Sequence, residues 1–399
     1  MRKIFLVLFA AITVTFAADI SGSLSTGFYM GTPFWNSDNY SAGNVIDSED
    51  AFMRTVNQLR LNGKFGKQFN TRFNALRSDG FQSENHLSET KIYQVYGQYK
   101  FSGGVVKVGR FVPFNRWIWG SVDGGAASYA FGKTVKISAL AGKHTPYGLL
   151  YDSDNSMTVV YSDLALKFGA FGTKLKIYND DNVTKAGLDF YGRTGCLRYN
   201  GNYGFDITNS RLADGGLGLF YMVNRKLNFS GNYRLFRTMP WNLGGTDFQT
   251  YLVERFLAGA AYKLFNNYTL NLRQMVTITS EKKNYLSYFT VNHTYFTLGL
   301  SYLTGDSNIK RIGLVAGLKY TLKDLTVSGG LAPVNYQPRY SNESLTNTAF
   351  YFKARYRFLK RFLVNANFNY YQFDDKQEPL LLQSKFRGGL QLNYFLGAE

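Results

Sequence analysis

The sequence predicts an all-β fold, a transmembrane antiparallel β-barrel of about 18–22 strands with 22 as the best count. Three observations support this fold class. Apolar and polar residues alternate through segments of about ten to fourteen residues along almost the whole chain. The apolar faces of these segments end in Tyr and Phe. The pattern also follows the N-terminal segment directly, with no helical segment that could cover a sheet.

The N-terminal segment has the features of a secretory signal peptide. It begins Met1-Arg2-Lys3, continues through an apolar stretch to about Phe16, and reaches small residues at Ala17 and Ala18. The alternative, a core helix or membrane anchor, is disfavoured because spanning a bilayer needs about 18 or more apolar residues. We therefore expect a cleaved leader at residues 1–18 and a single barrel domain at residues 19–399.

The stretch "FYFKARYRF" at residues 350–358 shows the alternation clearly. One series is apolar and aromatic: Phe350, Phe352, Ala354, Tyr356 and Phe358. The other carries three positive charges on Lys353, Arg355 and Arg357. Strict alternation indicates a strand with two faces in different solvents.

Alternation by itself does not separate a membrane barrel from an extracellular β-sandwich or adhesin. Segment length does, because typical globular strands have about five or six residues. The chain has no apolar run long enough for a membrane helix, and a single Cys, Cys196, cannot form an intramolecular disulfide. A closed barrel satisfies every backbone group inside lipid without disulfides, so the barrel is the preferred interpretation.

Turn signals divide the segments. Short turns are expected near Gly66, Ser102-Gly103, Gly132, Gly169, Gly195, Asn224, Asn266, Asn292-His293, Lys323 and Lys360, with longer links between them. Short turns on one side are typical of the periplasmic end of a barrel, and the count places both termini there. No plug domain precedes the first predicted strand at residues 19–30.

Basic residues outnumber acidic ones by 45 to 27. An Arg or Lys facing lipid at mid-depth costs about 2–4 kcal/mol, so the many cations on the polar faces must face a hydrated lumen. A positively charged lumen attracts anions. The expected anion path is lined by Lys353, Arg355, Arg357, Lys385, Arg387, Arg60, Lys64 and Arg198. Cations beside turns, such as Lys360 and Arg361, have the alternative role of reaching toward lipid headgroups.

Residues 105–131, "VVKVGRFVPFNRWIWGSVDGGAASYAF", consist of a strand ending in Gly109-Arg110, a short loop, and a strand opened by Asp123-Gly124. This pattern resembles Gram-negative outer-membrane porins, including anion-, phosphate- and other substrate-selective porins. There a similar strand–loop–strand lies beside the pore constriction. The resemblance implies that Arg110, Arg116 and Asp123 line or brace a constriction.

Two points about this stretch stay open. Alternation puts Arg110 on the side of Val106 and Val108, so either a β-bulge re-aims it or it lies at the membrane interface. The loop of about ten residues is also short for one that reaches deeply into a lumen.

The sequence does not indicate an enzyme. Its three His residues, His86, His144 and His293, fall near expected links or turns. It contains no nucleophile elbow, zinc-binding helix, phosphate loop or Cys cluster. We therefore expect no catalytic site, metal or cofactor.

The predicted function is passive diffusion of small hydrophilic, preferentially anionic solutes across a bacterial outer membrane. The alternatives are a non-channel barrel (an adhesin, receptor or anchor) and a selective exporter or importer of an acidic polysaccharide. Expected partners are outer-membrane lipid and lipopolysaccharide, small anionic or polar solutes, the barrel-assembly machinery and, by resemblance, a homotrimer. Nucleic acid is not expected, because the export signal is incompatible with it.

Overall fold

The computed structural model describes residues 19–31, 52–81, 86–113, 117–118, 120–146, 157–237, 252–279, 282–306, 310–336, 345–372 and 384–397. The predicted leader lies outside these residues. The described residues form 22 strands: β1 (Asp19–Gly31), β2 (Phe52–Phe65), β3 (Phe69–Phe81), β4 (His86–Phe101), β5 (Gly104–Phe111), β6 (Gly120–Phe131), β7 (Val135–Pro146), β8 (Met157–Phe168), β9 (Phe171–Asp180), β10 (Thr184–Thr194), β11 (Leu197–Asp206), β12 (Arg211–Met222), β13 (Leu227–Arg237), β14 (Leu252–Phe265), β15 (Tyr268–Ile278), β16 (Lys283–His293), β17 (Phe296–Gly305), β18 (Arg311–Leu322), β19 (Leu325–Tyr336), β20 (Leu345–Phe358), β21 (Phe362–Gln372) and β22 (Ser384–Leu396).

Every strand pairs antiparallel with the next one along the chain, and the last pairs with the first. The closing contact joins β1 to β22, from Gly22 opposite Leu396 to Gly31 opposite Arg387. The result is one closed 22-stranded sheet, which leaves no unpaired edge. The predicted transmembrane antiparallel β-barrel is confirmed, and so is the best count of 22 strands. Within the described residues, no helix is long and apolar enough to cross a membrane.

The two ends of the barrel differ in their connections. The end that carries the start of β1 and the end of β22 has tight turns, which we call the short-turn end; the opposite end is the link end. Glycines at the tight turns, such as Gly132 and Gly195, adopt φ of +66° and +55°, where a side chain would be strained. At the link end, Asp180 closes a short connection by accepting hydrogen bonds from the backbone N–H groups of Asn182 (2.9 Å) and Val183 (2.7 Å).

One local prediction was wrong. The turn expected at Asn292-His293 lies two residues later, because β16 continues to His293. The His293 ring packs 4.5 Å from Tyr268 and 4.9 Å from Phe296, centroid to centroid, and these contacts hold it in the strand.

The two faces of the wall have opposite character. On β20, Phe352 and Tyr356 share a face with apolar neighbours such as Phe368 and Leu325, whereas Lys353 and Arg355 lie opposite Ser328, Asn367, Thr326 and Asn365. Large apolar side chains elsewhere on the first face are exposed, up to 72% for Leu318. This apolar face is the lipid-facing surface, and the polar face lines the lumen.

The lumen is wide. A closed sheet of 22 strands, spaced by about 4.8 Å and tilted by about 40°, has a mean backbone diameter of roughly 40 Å. Side chains of the wall cannot fill that width, and no described segment forms a plug domain inside it. A lumen of this width has room for water.

Candidate functional site

Lys353, Arg355 and Arg357 stand in one row on the inner face of β20. All three side chains are exposed. Among the described residues, no carboxylate forms an ion pair with any of them. Arg357 also lies over the ring of Phe395, 5.9 Å from its centroid. The row therefore presents three uncompensated positive charges to the lumen.

The cationic surface continues onto β22. Arg387 is exposed and lies opposite Asn369 of β21, the strand between β20 and β22. Lys385 lies opposite Tyr371, two residues before Arg387 on the same strand. Strands two apart in a sheet are separated by about 10 Å, so Arg387 belongs to the same surface as the β20 row.

The surface reaches β2 through β1. Arg60 lies opposite Ser23 and is exposed, and its guanidinium donates to Gln58 Oε1 at 3.0 Å. Lys64 is paired with Asp19 at 3.4 Å, so part of its charge is offset. We call Lys353, Arg355, Arg357, Arg387 and Arg60 the cationic arc. The inner face between its members carries amides: Asn365, Asn367, Asn369, Gln391 and Asn393.

The far side of the barrel is covered by part of the loop between β5 and β6. Ile118 is 1% exposed and packs with inner-face side chains that are also buried: Phe111, Val122, Leu140, Val159, Tyr161 and Tyr178. Trp117 packs against this cluster, edge-on to Tyr178 at 6.3 Å between ring centroids. The described loop residues Trp117 and Ile118 therefore lie inside the barrel, against its inner wall.

Two glycines make room for the indole of Trp117. Gly187 and Gly204 lie opposite each other on β10 and β11. A Cβ added at Gly187 would lie 2.6 Å from Trp117 Cη2, and one at Gly204 would lie 3.1 Å from Cζ2. Any side chain at Gly187 would therefore displace the ring. The two glycines form the floor of a slot that Trp117 occupies.

Two cations on the wall beneath Trp117, Lys174 and Lys176, are paired with carboxylates. The side chain of Lys176 is 4% exposed; its Nζ lies 2.6 Å from Asp189 Oδ1 and 4.4 Å from the Trp117 ring centroid. Lys174 lies 3.8 Å from the buried carboxylate of Asp163. The centre of the cationic arc, β22, and the centre of the loop-covered wall, near β8, are eight strands apart in a ring of 22. The lumen thus has an exposed cationic surface on one side, whereas Lys174 and Lys176 on the loop-covered wall are ion-paired.

Arg198 lies on the inner wall near the short-turn end of β11. It faces Arg193 on β10 and lies 6.0 Å from the ring centroid of Phe220 on β12. With Asn200, Ser230 and Asn232 it lines a recess of about 400 Å³. Arg198 is therefore an inner-wall residue separated from the cationic arc.

Arg110 and Asp123 lie directly opposite each other on β5 and β6 and form a two-pronged ion pair, with Arg110 Nε 2.5 Å from Asp123 Oδ1. Arg110 Nη1 also donates to the Ile92 carbonyl at 3.3 Å. The register runs without a shift through Arg110, so it shares the face of Val106 and Val108, although Gly109 before it adopts φ of +120°. This geometry fits a brace in the wall better than a residue lining the lumen. Arg116 lies outside the described residues.

Sequence reasoning missed Trp117, Gly187 and the Lys176–Asp189 pair. Trp117 is one of four Trp residues in the chain and occurs in the "RWIWG" stretch of the loop, which is a signal for an aromatic anchor. Its binding slot could not be found from sequence, because Gly187 and Gly204 are far from it along the chain. Within the described part of the chain, no group of three or more His, Cys, Asp or Glu residues could hold a metal ion.

No protein-family model matches the chain, and no curated protein matches it. Solved structures match its fold. The PapC-PapD-PapK-PapG tip assembly intermediate of the E. coli P pilus aligns with a TM-score of 0.53 and 10% identity, over 94% of this chain and 61% of that chain. OccAB1 of Acinetobacter baumannii aligns with a TM-score of 0.49 and 10% identity, over 96% and 97%. OccAB3 of the same organism aligns with 0.47 and 13%, over 95% and 99%.

These identities show likeness of fold alone. The barrel architecture that the resemblance of residues 105–131 implies is present in this chain as a closed 22-stranded sheet. A closed barrel with an apolar outer face is the form in which strands cross a bacterial outer membrane, and the predicted localisation agrees with it.

Proposed function

We propose that this barrel is an outer-membrane channel through which small hydrophilic solutes diffuse passively, with a preference for anions. The observation that carries the proposal is the cationic arc: exposed Lys and Arg side chains on the inner face, without ion pairs on the β20 row. A hydrated lumen lined in this way lowers the electrostatic energy of an anion and raises that of a cation.

The covered wall around Lys176 supports the same function. Lys176 is covered by Trp117 and paired with Asp189, so it contributes little field to the lumen. The loop also narrows the lumen from that side. The loop leaves less space on its own side of the lumen, and the positive charges of the arc attract an anion. The anion therefore passes close to the arc, where amides such as Asn365 and Asn367 can replace part of its hydration.

Current through single channels in a planar bilayer, under a gradient of KCl, tests this function. We expect stable conductance and a reversal potential of the sign that indicates chloride preference. A reversal potential indicating potassium preference would contradict the role of the arc, and a barrel that inserts without conductance would contradict the channel itself and favour an adhesin, receptor or anchor.

Liposome swelling distinguishes a general anion-preferring pore from a transporter of acidic polysaccharide. A general pore admits neutral sugars and admits small anionic sugars faster. Swelling with oligomeric uronates but not with small neutral sugars favours the polymer alternative.

The remaining partners are part of the proposal. We expect insertion through the barrel-assembly machinery, contact with outer-membrane lipid and lipopolysaccharide, and a homotrimer. Native mass spectrometry of the detergent-extracted protein tests the trimer, and a purely monomeric species would contradict it.

A further inference from the structure

We propose that the short-turn end of the barrel carries a specific site for the phosphate group of an anionic phospholipid. The site is a cavity of about 640 Å³ between the β12–β13 and β14–β15 turns. It is lined by Arg225, Lys226, Lys263, Leu264, Phe265, Asn266, Asn267 and Tyr268. It is separate from the cationic arc and plays no part in the proposed channel function.

The charge of this cavity is uncompensated. Arg225, Lys226 and Lys263 contribute three positive side chains, and no Asp or Glu lines the cavity. Among the described residues, none of these three cations forms an ion pair. Asn266 and Asn267 add amide N–H donors at the same place. Such a group of donors suits a phosphate, which accepts several charge-assisted hydrogen bonds at once.

The apolar part of the lining identifies a lipid as the source of the phosphate. Phe265 is 66% exposed and Leu264 is 40% exposed, and both stand at the edge of the lipid-facing wall. Tyr268 packs edge-on against Phe265 at 6.2 Å between centroids. A soluble anion makes no favourable contact with this apolar surface. A phospholipid can place its acyl chains on the surface while its headgroup contacts the cations.

The backbone around the cavity is built to hold this shape. Asn224 Oδ1 accepts hydrogen bonds from the N–H groups of Lys226 and Leu227, both at 2.8 Å. The Lys263 N–H donates to the Lys226 carbonyl at 2.8 Å, which ties the two turns together. A register shift between Lys263 and Phe265 leaves Leu264 as an extra residue and widens the second turn. The site is therefore preformed, which distinguishes it from scattered basic residues at the membrane interface.

The same end of the barrel supplies a matched control. Two neighbouring turns at this end, β18–β19 and β20–β21, also carry two Lys and one Arg, which are Lys323, Lys360 and Arg361. That pair of turns includes the carboxylate of Asp324. A general attraction of anionic lipid to basic turns predicts equal behaviour of the two groups, and a built site does not.

Native mass spectrometry of the full barrel, titrated with phosphatidylglycerol or phosphatidylcholine in detergent, tests the proposal. We expect a phosphatidylglycerol adduct in preference to phosphatidylcholine. The triple variant R225Q/K226Q/K263Q should weaken it by about 100-fold, since each Lys or Arg near an anionic lipid contributes about fivefold. The control K323Q/K360Q/R361Q should weaken it by less than about threefold.

Further measurements distinguish the sources of phosphate. Phe265→Ala should weaken phosphatidylglycerol binding without changing competition by inorganic phosphate. Inorganic phosphate that binds as tightly as the lipid would overturn the lipid assignment, and so would equal losses in the two triple variants or no preference over phosphatidylcholine. Unchanged single-channel conductance of R225Q/K226Q/K263Q verifies that the variant is folded and that the result is independent of the channel proposal.

Discussion

Trp117 lies over Lys176, with the ammonium nitrogen 4.4 Å from the ring centroid, and so attaches the loop after β5 to the wall four strands away. The contact is supported beneath by Gly187 and Gly204 and beside it by Asp189, 2.6 Å from Lys176. The contact between Trp117 and Lys176 narrows the lumen and shields the ammonium group of Lys176 from it. It also gives the loop a fixed resting position.

Replacing Gly187 with Ala should release the loop. The new Cβ would lie 2.6 Å from Trp117 Cη2, so the ring must leave its slot. Loss of a packed aromatic anchor costs about 2–3 kcal/mol at a half-buried position, which raises the open fraction about 30- to 150-fold. We expect larger and noisier single-channel conductance.

Gly215→Ala is the matched control, because its added Cβ would meet only Leu235 at an ordinary 3.8 Å. The Cβ at Gly187 would also approach the Tyr203 carbonyl at 2.6 Å, and Trp117→Ala separates the two effects. If Gly187→Ala changes conductance as much in the Trp117→Ala background as in the wild type, the loop anchor is not the cause.

Replacing Lys353, Arg355 and Arg357 together with Gln should reduce anion preference without unfolding the barrel. Three charges about 8 Å from an ion contribute about 0.5 kcal/mol each in water, and screening at 0.1 M salt removes about half. Because the same charges favour chloride and disfavour potassium, the chloride-to-potassium permeability ratio should fall about tenfold. Reversal potentials measured at several salt concentrations check this value.

The change should be larger in dilute salt, because the Debye length grows to about 30 Å at 0.01 M. K67Q/K133Q/K323Q removes the same charge from exposed turns and should have a smaller effect. Equal effects of the two triple variants would show that net charge, and not the row on β20, sets the preference.

Asp189→Asn should destabilise the barrel by about 1–3 kcal/mol, because it leaves the Lys176 ammonium buried without its carboxylate. The value is below that for a fully buried pair because the side chain of Asp189 is 37% exposed. Equilibrium unfolding by urea in detergent micelles measures it.

Asp19→Asn is the comparison, since Asp19 and Lys64 form an ion pair with both side chains at least 60% exposed. Its effect should stay below about 1 kcal/mol. A larger loss in Asp19→Asn than in Asp189→Asn would contradict the assignment of Lys176 as the buried cation.

The Arg110–Asp123 pair should contribute to stability more than to selectivity. Asp123→Asn removes the carboxylate from a guanidinium on the face of Val106 and Val108, where a charge costs about 2–4 kcal/mol. A double-mutant cycle of Arg110→Met and Asp123→Asn should give a coupling free energy of about 1–3 kcal/mol.

Conductance and reversal potential should change little in the same variants. A clear fall in chloride preference in Arg110→Met, with unchanged stability, would instead place Arg110 at the constriction that the sequence resemblance implies.

Much of the fold could be predicted because the face on which a side chain lies depends only on its position along its own strand. A side chain's face follows from its parity along the strand, so Lys353, Arg355 and Arg357 could be placed on one row from the printed letters alone. Turn chemistry at Gly132 and Gly195 is equally local. Prediction failed at His293, where contacts between rings extend the strand through the expected turn.

The sequence by itself determined the fold class, the strand count and the rows of charged residues, because each follows from the order of residues within a single strand or turn. Only the tertiary structure decided which charges act in the lumen. Lys176 and Lys353 look alike in sequence, but closure of the ring brings Asp189 and Trp117 to the first and no described carboxylate to the second. That difference arises from register and from a loop that crosses several strands, and neither is encoded in the alternation of a single segment.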